Sequence, residues 1–151
     1  NIIPCVSHLA RSYREFSAEL GRLHPSAIDT LFFLARCKLN GGGLDSAKQM
    51  LRIVKQRASQ ITNDTTPLPI SVAATAGLAQ VAAADENVEE CRRLCASVLE
   101  QATRVSELNT SDILTLRSVV TVCRLYQRLS VHLNDPSLHQ QAVDIARNAS
   151  V

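Results

Sequence analysis

Apolar residues recur at steps of three and four along most of this chain, and strict apolar/polar alternation is sustained nowhere in its 151 residues. That period belongs to amphipathic helices, whose buried stripe returns about every 3.6 residues, and not to strands. Val6, Leu9, Ala10, Tyr13, Phe16, Leu20 and Leu23 predict a first helix within residues 4–23. Sliding the chain by 44 residues then lays the stretch from His24 on the stretch from Leu68 without a gap. Pro25 falls on Pro69, Leu34-Ala35 on Leu78-Ala79, Leu44 on Val88, Ala47 on Cys91, Leu51 on Cys95 and Val54 on Val98. Each match keeps size or apolarity. A period of this length with two helical segments per unit predicts a helical solenoid, in which each unit buries its face against its neighbours.

A looser third copy follows, with Val122-Cys123 continuing the Leu-Ala pair and Pro136 opening the second helix. Its corner reads about six residues longer than the others, so the second helix slips. Units are expected at about 25–62, 69–106 and 111–149, giving about seven helices with the leading one. Pro25, Pro69 and Pro136 suit first turns, where a missing N–H costs nothing. Asn87 to Glu90 reads as a capping box, and Asp45 or Ser46 is expected to cap the helix after Gly41–Gly43. Residues 61–69 read as the loop between the first two units.

The three glycines raise the question of a phosphate loop. Such a loop needs a preceding buried strand and a Gly-Lys-Ser/Thr ending, whereas these glycines follow a helical pattern and have neither. The aligned residues in the second unit are Asp85, Glu86 and Asn87, so the same corner is made there without glycine. Gly41–Gly43 therefore read as hairpin geometry.

Composition adds only a few constraints. At 46% hydrophobic and 20% charged the chain can bury a core, and 3% aromatic content with no Trp favours helices packed through small side chains over a β-sandwich. The net charge of +2, with both signs interspersed, motivates neither nucleic acid nor a membrane surface as partner. No stretch approaches the roughly 18 apolar residues of a membrane span. Cys5, Cys37, Cys91, Cys95 and Cys123 lack framework spacing and point to reduced thiols in a cytoplasmic or nuclear setting. Without an initiator Met or a leader layout, the chain reads as a single repeat domain cut from something longer.

Chemistry-bearing residues have plainer explanations. Cys91 and Cys95 are one helical turn apart, but they fall on the buried row of the repeat and read as core. Cys123 aligns with core Ala35 and Ala79. His8, His24, His132 and His139 are scattered, with His24 at a helix start, and read as caps or surface residues. Glu89-Glu90 and Asp85-Glu86 flank a helix start, where carboxylates favour the macrodipole. Arg92-Arg93 and the stretch 48–57 read as solvated outer faces. No nucleophile, base and orienter assemble, so neither an enzyme, a metal site nor a cofactor is expected.

Leu34, Ala35, Gly42, Ala47, Leu51 and Val54, at their mutual spacing, resemble the tetratricopeptide repeat (TPR). The long period and the His-Pro and Thr-Leu before Leu34 are closest to the kinesin-light-chain type of that repeat. Tyr126 stands where the family often has Tyr, while Leu44 and Val88 replace the usual Tyr after the corner. The resemblance implies an all-α, right-handed solenoid of helical hairpins whose first helices line a concave groove for peptides or partner helices. Counting from the Leu-Ala pairs, the groove is expected to present Asp29, Phe32 and Arg36, then Ala73, Ala76 and Gln80, then Arg117, Val120 and Arg124, with Arg128 extending the basic end. The Lys and Asn with which chaperone-binding members clamp a carboxylate are absent from these places, so no known ligand class carries over.

The expectation is a non-catalytic scaffold that captures an acidic protein segment, with Phe32 as apolar anchor and the unit-three arginines pairing acidic side chains. The alternative is a structural spacer or a self-association surface.

Overall fold

The computed structural model describes residues 2–61, 68–106 and 113–149, so most of the loop expected at 61–69 and the start of the third unit lie outside the described residues. Seven helices account for nearly all of what is described: α1 Ile2–Leu20, α2 Pro25–Asn40, α3 Leu44–Ile61, α4 Pro69–Ala84, α5 Val88–Ser106, α6 Ile113–His132 and α7 Pro136–Ala149. No strand occurs among the described residues. Consecutive helices pack as antiparallel hairpins, and α4 sits at the centre against α2, α3, α5 and α6. The result is the all-α hairpin solenoid expected from the period.

The repeat is written in the burial pattern. Ala47, Leu51 and Val54 of α3 are fully buried, and so are their partners 44 residues on, Cys91, Cys95 and Val98. Ala35 and Ala79, one from each Leu-Ala pair, are likewise sealed. The small side chains allow close helix approach; Gly77 of α4 takes Leu51 directly against its backbone. Because α4 is covered on four sides, it is apolar all round, with Ile70 and every residue from Val72 to Ala79 buried.

All three corners have one geometry. A residue with left-handed backbone follows each first helix by two positions: Gly42 at φ 86°, Glu86 at 59° and Asn134 at 52°. The next N–H then reaches a carbonyl five residues back, Gly43 to Lys38 at 2.8 Å, Asn87 to Ala82 at 2.9 Å and Asp135 to Ser130 at 3.0 Å. This is the Schellman closure of a helix end. The third corner is therefore no longer than the others, contrary to the sequence expectation. The extra residues lie in α6, which runs 20 residues where α2 and α4 run 16. Four residues are about one helical turn, so the insertion lengthens the helix without disturbing its faces. The slip of the second helix is real, since α7 buries Leu138 and Ala142 while His139, at the place of Ala47 and Cys91, is exposed.

The caps are partly as expected. Pro25, Pro69 and Pro136 open α2, α4 and α7. His24 Nδ1 accepts the Ser26 N–H at 3.1 Å, and Asp135 accepts that of Ser137 at 3.0 Å. At α5 only half of the capping box forms. Asn87 Oδ1 accepts the Glu90 N–H at 3.3 Å, but the Asn87 N–H is used by the corner and the Glu90 carboxylate turns to Arg93. Asp45 and Ser46 lie inside α3, so Asp45 acts through its charge in the first turn and not as the cap.

Candidate partner-binding groove

The first helices of the three units, α2, α4 and α6, line one elongated groove of about 360 Å³. Phe32, Arg36 and Leu39 of α2 form one wall, Ala73, Ala76, Gly77 and Gln80 of α4 the floor, and Ile113, Leu116, Arg117, Val120, Thr121 and Arg124 of α6 the other wall. The geometry follows from side-chain size. The alanines and Gly77 keep the floor low, and the longer residues of α2 and α6 rise on either side.

Eight of the positions counted from the Leu-Ala pairs meet here: Phe32, Arg36, Ala73, Ala76, Gln80, Arg117, Val120 and Arg124. Arg128 lies one turn on, lining an adjoining open hollow with Gln80, Arg124, Val131 and His132. Asp29 does not line the groove. It is exposed on α2, and partial desolvation raises its pKa above the usual carboxylate value.

Phe32 does not serve as expected. Its side chain is only 2% exposed and belongs to the core, its ring tilted against that of Phe33 at 5.6 Å, so it walls the groove without offering a free anchor. The available apolar surface is on α6, where Ile113 is 69%, Leu116 47% and Val120 46% exposed. Ile113 and Leu116 escaped the sequence reading because the period aligns Leu116 with Ile28 and Val72, both fully buried in their own units. The signal that finds them is position in the array: among the described residues no helix covers that side of α6.

The electrostatics are one-sided. Arg36, Arg117 and Arg124 line the groove, and no Asp or Glu among the described residues does. Arg117, Arg124 and Arg128 recur at steps of seven and four and so share one face of α6, with Thr121 between the first two.

The remaining reactive groups are elsewhere. Cys91 and Cys95 are fully buried, and the neighbouring Cys91 thiol, with burial second, pushes the Cys95 thiol far up, so both are core residues. Cys123 is half-buried, donates to the Ala142 carbonyl at 3.3 Å and has its thiol pKa raised by burial. No helix among the described residues is long and apolar enough to cross a membrane.

No protein-family model matches the chain, and no curated protein does. Solved structures do. Nearly identical TPR-like repeats from a protein of Podosopora anserina described as a kinesin light chain superpose with a TM-score of 0.67 at 21% identity, over 99% of this chain and 68% of that one. A second structure of those repeats gives 0.65 at 22% identity, over 97% and 68%. At this identity the likeness establishes the fold alone, a TPR-like helical-repeat solenoid.

Proposed function

We propose that this TPR-like solenoid is a non-catalytic scaffold that binds a peptide or helix of a partner protein along α2, α4 and α6. One observation carries the reading: among the described residues three arginines and no carboxylate line a groove whose α6 wall exposes Ile113, Leu116 and Val120. A segment with acidic residues flanking a large apolar side chain complements both features. The apolar side chain supplies affinity by desolvating against Leu116 and Val120. The charge pairs, exposed and worth about 0.2 to 1 kcal/mol each, act mainly on orientation and association rate.

Fluorescent acidic peptides carrying one large apolar residue test this. Leu116→Asp and the pair Arg117→Glu with Arg124→Glu are expected to weaken binding, the first through dissociation and the second through association. Phe32→Ala is expected to lower thermal stability without a selective binding defect. If Arg92→Glu with Arg93→Glu on the outer face abolishes binding while the groove variants bind like the parent, the groove is the wrong surface.

A spacer or self-association role finds support at the ends of the array, where Phe16 and Leu20 of α1, Leu23 after it, and Val131 of α6 are exposed. Sedimentation of the chain showing a concentration-dependent dimer that Leu20→Glu or Val131→Glu disperses favours that reading.

A further inference from the structure

A second cleft, of about 610 Å³, opens on the other side of α4, between the second helices α3 and α5. Those two helices do not pack against each other, so α4 forms the floor through Leu78, Val81 and Ala82. The α3 wall is basic for a reason of periodicity. Its inward row is Ala47, Leu51 and Val54, and Lys48, Arg52 and Lys55 each follow one position later, about 100° round the helix, on the side facing α5. Arg93 lines the cleft from the α5 side.

The charges there are out of balance. Glu90 is held by Arg93 through two hydrogen bonds of 2.9 and 2.6 Å. That contact, with Lys48 and Arg52 beyond it, lowers the Glu90 pKa. Lys55, half-buried, has its pKa lowered by burial first and by facing Arg93 second, against a smaller opposite pull from Glu90. Among the described residues Lys48, Arg52 and Lys55 have no ion-pair partner, and Asp85 is the only other carboxylate lining the cleft. Four cations thus share the cleft with two carboxylates, of which Glu90 is already occupied by Arg93.

We propose that this cleft binds a compact ligand carrying several phosphate groups, with Lys48, Arg52, Lys55 and Arg93 as its charge partners. The three α3 cations span seven residues, about 10 Å of helix axis, so one monoanion reaches at most two of them while linked phosphates reach them all. Arg52 supplies a planar fork and the lysines mobile point charges, the pairing suited to phosphate oxygens. The volume falls within the roughly 300–1,000 Å³ of small-molecule sites. A peptide is disfavoured because the floor offers no anchor surface: Leu78, Val81 and Ala82 are all buried beneath the helices. This site is independent of the groove on α2, α4 and α6.

Calorimetric titration of the whole chain with sodium tripolyphosphate and with inositol hexakisphosphate tests the proposal. Binding is expected at low salt and is expected to weaken as salt is raised. Arg52→Gln with Lys55→Gln is expected to weaken it by about tenfold or more without lowering the melting temperature. Glu90→Gln is expected to tighten it, because a repelling charge is removed and Arg93 is released. Arg117→Gln with Arg124→Gln is expected to change nothing. On binding, the Lys55 ammonium is expected to titrate at higher pH by NMR. The proposal is overturned if neither phosphate binds at millimolar concentration, if the Arg52/Lys55 variant binds like the parent, or if the groove variant loses as much. Tight binding to phosphatidylserine vesicles, undiminished by tripolyphosphate, overturns it in favour of a membrane surface.

Discussion

A Cβ built on Gly77 would meet Leu51 Cδ1 at 2.9 Å and Cδ2 at 3.1 Å, and Leu51 is fully buried. Ala gains about 1 kcal/mol of helix propensity over Gly, but overpacking a sealed core costs about 1–3 kcal/mol. Gly77→Ala is therefore expected to lower stability slightly and Gly77→Val by several times as much, read by urea denaturation. Leu51→Ala in the Gly77→Ala background is expected to be less damaging than the two single costs summed, since the pair is in contact. A sharper contrast separates Ala47 from Glu90. Ala47 is sealed between α2 and α3, so Ala47→Glu leaves a buried unpaired charge and is expected to cost several kcal/mol, about the penalty of breaking a buried pair. Glu90→Ala removes an exposed ion pair and leaves the Asn87 cap in place, a loss of about 1 kcal/mol or less. Equal melting temperatures for the two would contradict the observed register.

Among the elements, the corners offer the cleanest test, because one backbone geometry is met by three different residues. Gly42 adopts its left-handed conformation without strain, whereas Glu86 and Asn134 carry a Cβ into it at a cost of order 1 kcal/mol, least for Asn. Gly42→Ala is expected to destabilise, and Glu86→Gly to stabilise more than Asn134→Gly, by thermal melts of the single variants. The α3 wall makes a pH prediction. Since burial and Arg93 lower the Lys55 pKa, the unfolded chain binds that proton more tightly, and stability gains from Lys55 as pH rises from its lowered value to the ordinary lysine range. Lys55→Gln is therefore expected to be more stable than the parent at neutral pH, with the gap closing as pH rises through that window. A gap that widens would reverse the sign of the argument.

At the scale of the whole molecule, stability should grade outward from α4, since a helical array is held by neighbours and α4 has the most of them. Amide exchange is expected to be slowest in α4 and fastest in α1 and α7, which pack on one side only. Uniform protection across all seven helices would show instead that the array opens as one unit. The two charged surfaces also divide along the array. The groove lines the first helices and the phosphate cleft the second ones, so salt should weaken both while single substitutions separate them.

Helix type, hairpin pairing and the buried rows were legible in the sequence, because periodicity and residue size act locally and the matched pair Leu51 and Cys95 must face inward wherever the units sit. Most of the groove positions were legible too, since a fixed count from Leu34-Ala35 sets the helix face. Exposure was not. Phe32 and Val120 occupy equivalent positions, yet one is sealed and the other open, because burial depends on whether a neighbouring helix covers the site, and that is a property of the array and not of the repeat. The extra turn of α6 and the turning of Glu90 from the capping box to Arg93 were likewise decided in three dimensions. The cleft between α3 and α5 was hidden for the same reason. Lys48, Arg52 and Lys55 read as a solvated face along one helix, and only the packing of α4 beneath and α5 opposite turns that face into a wall.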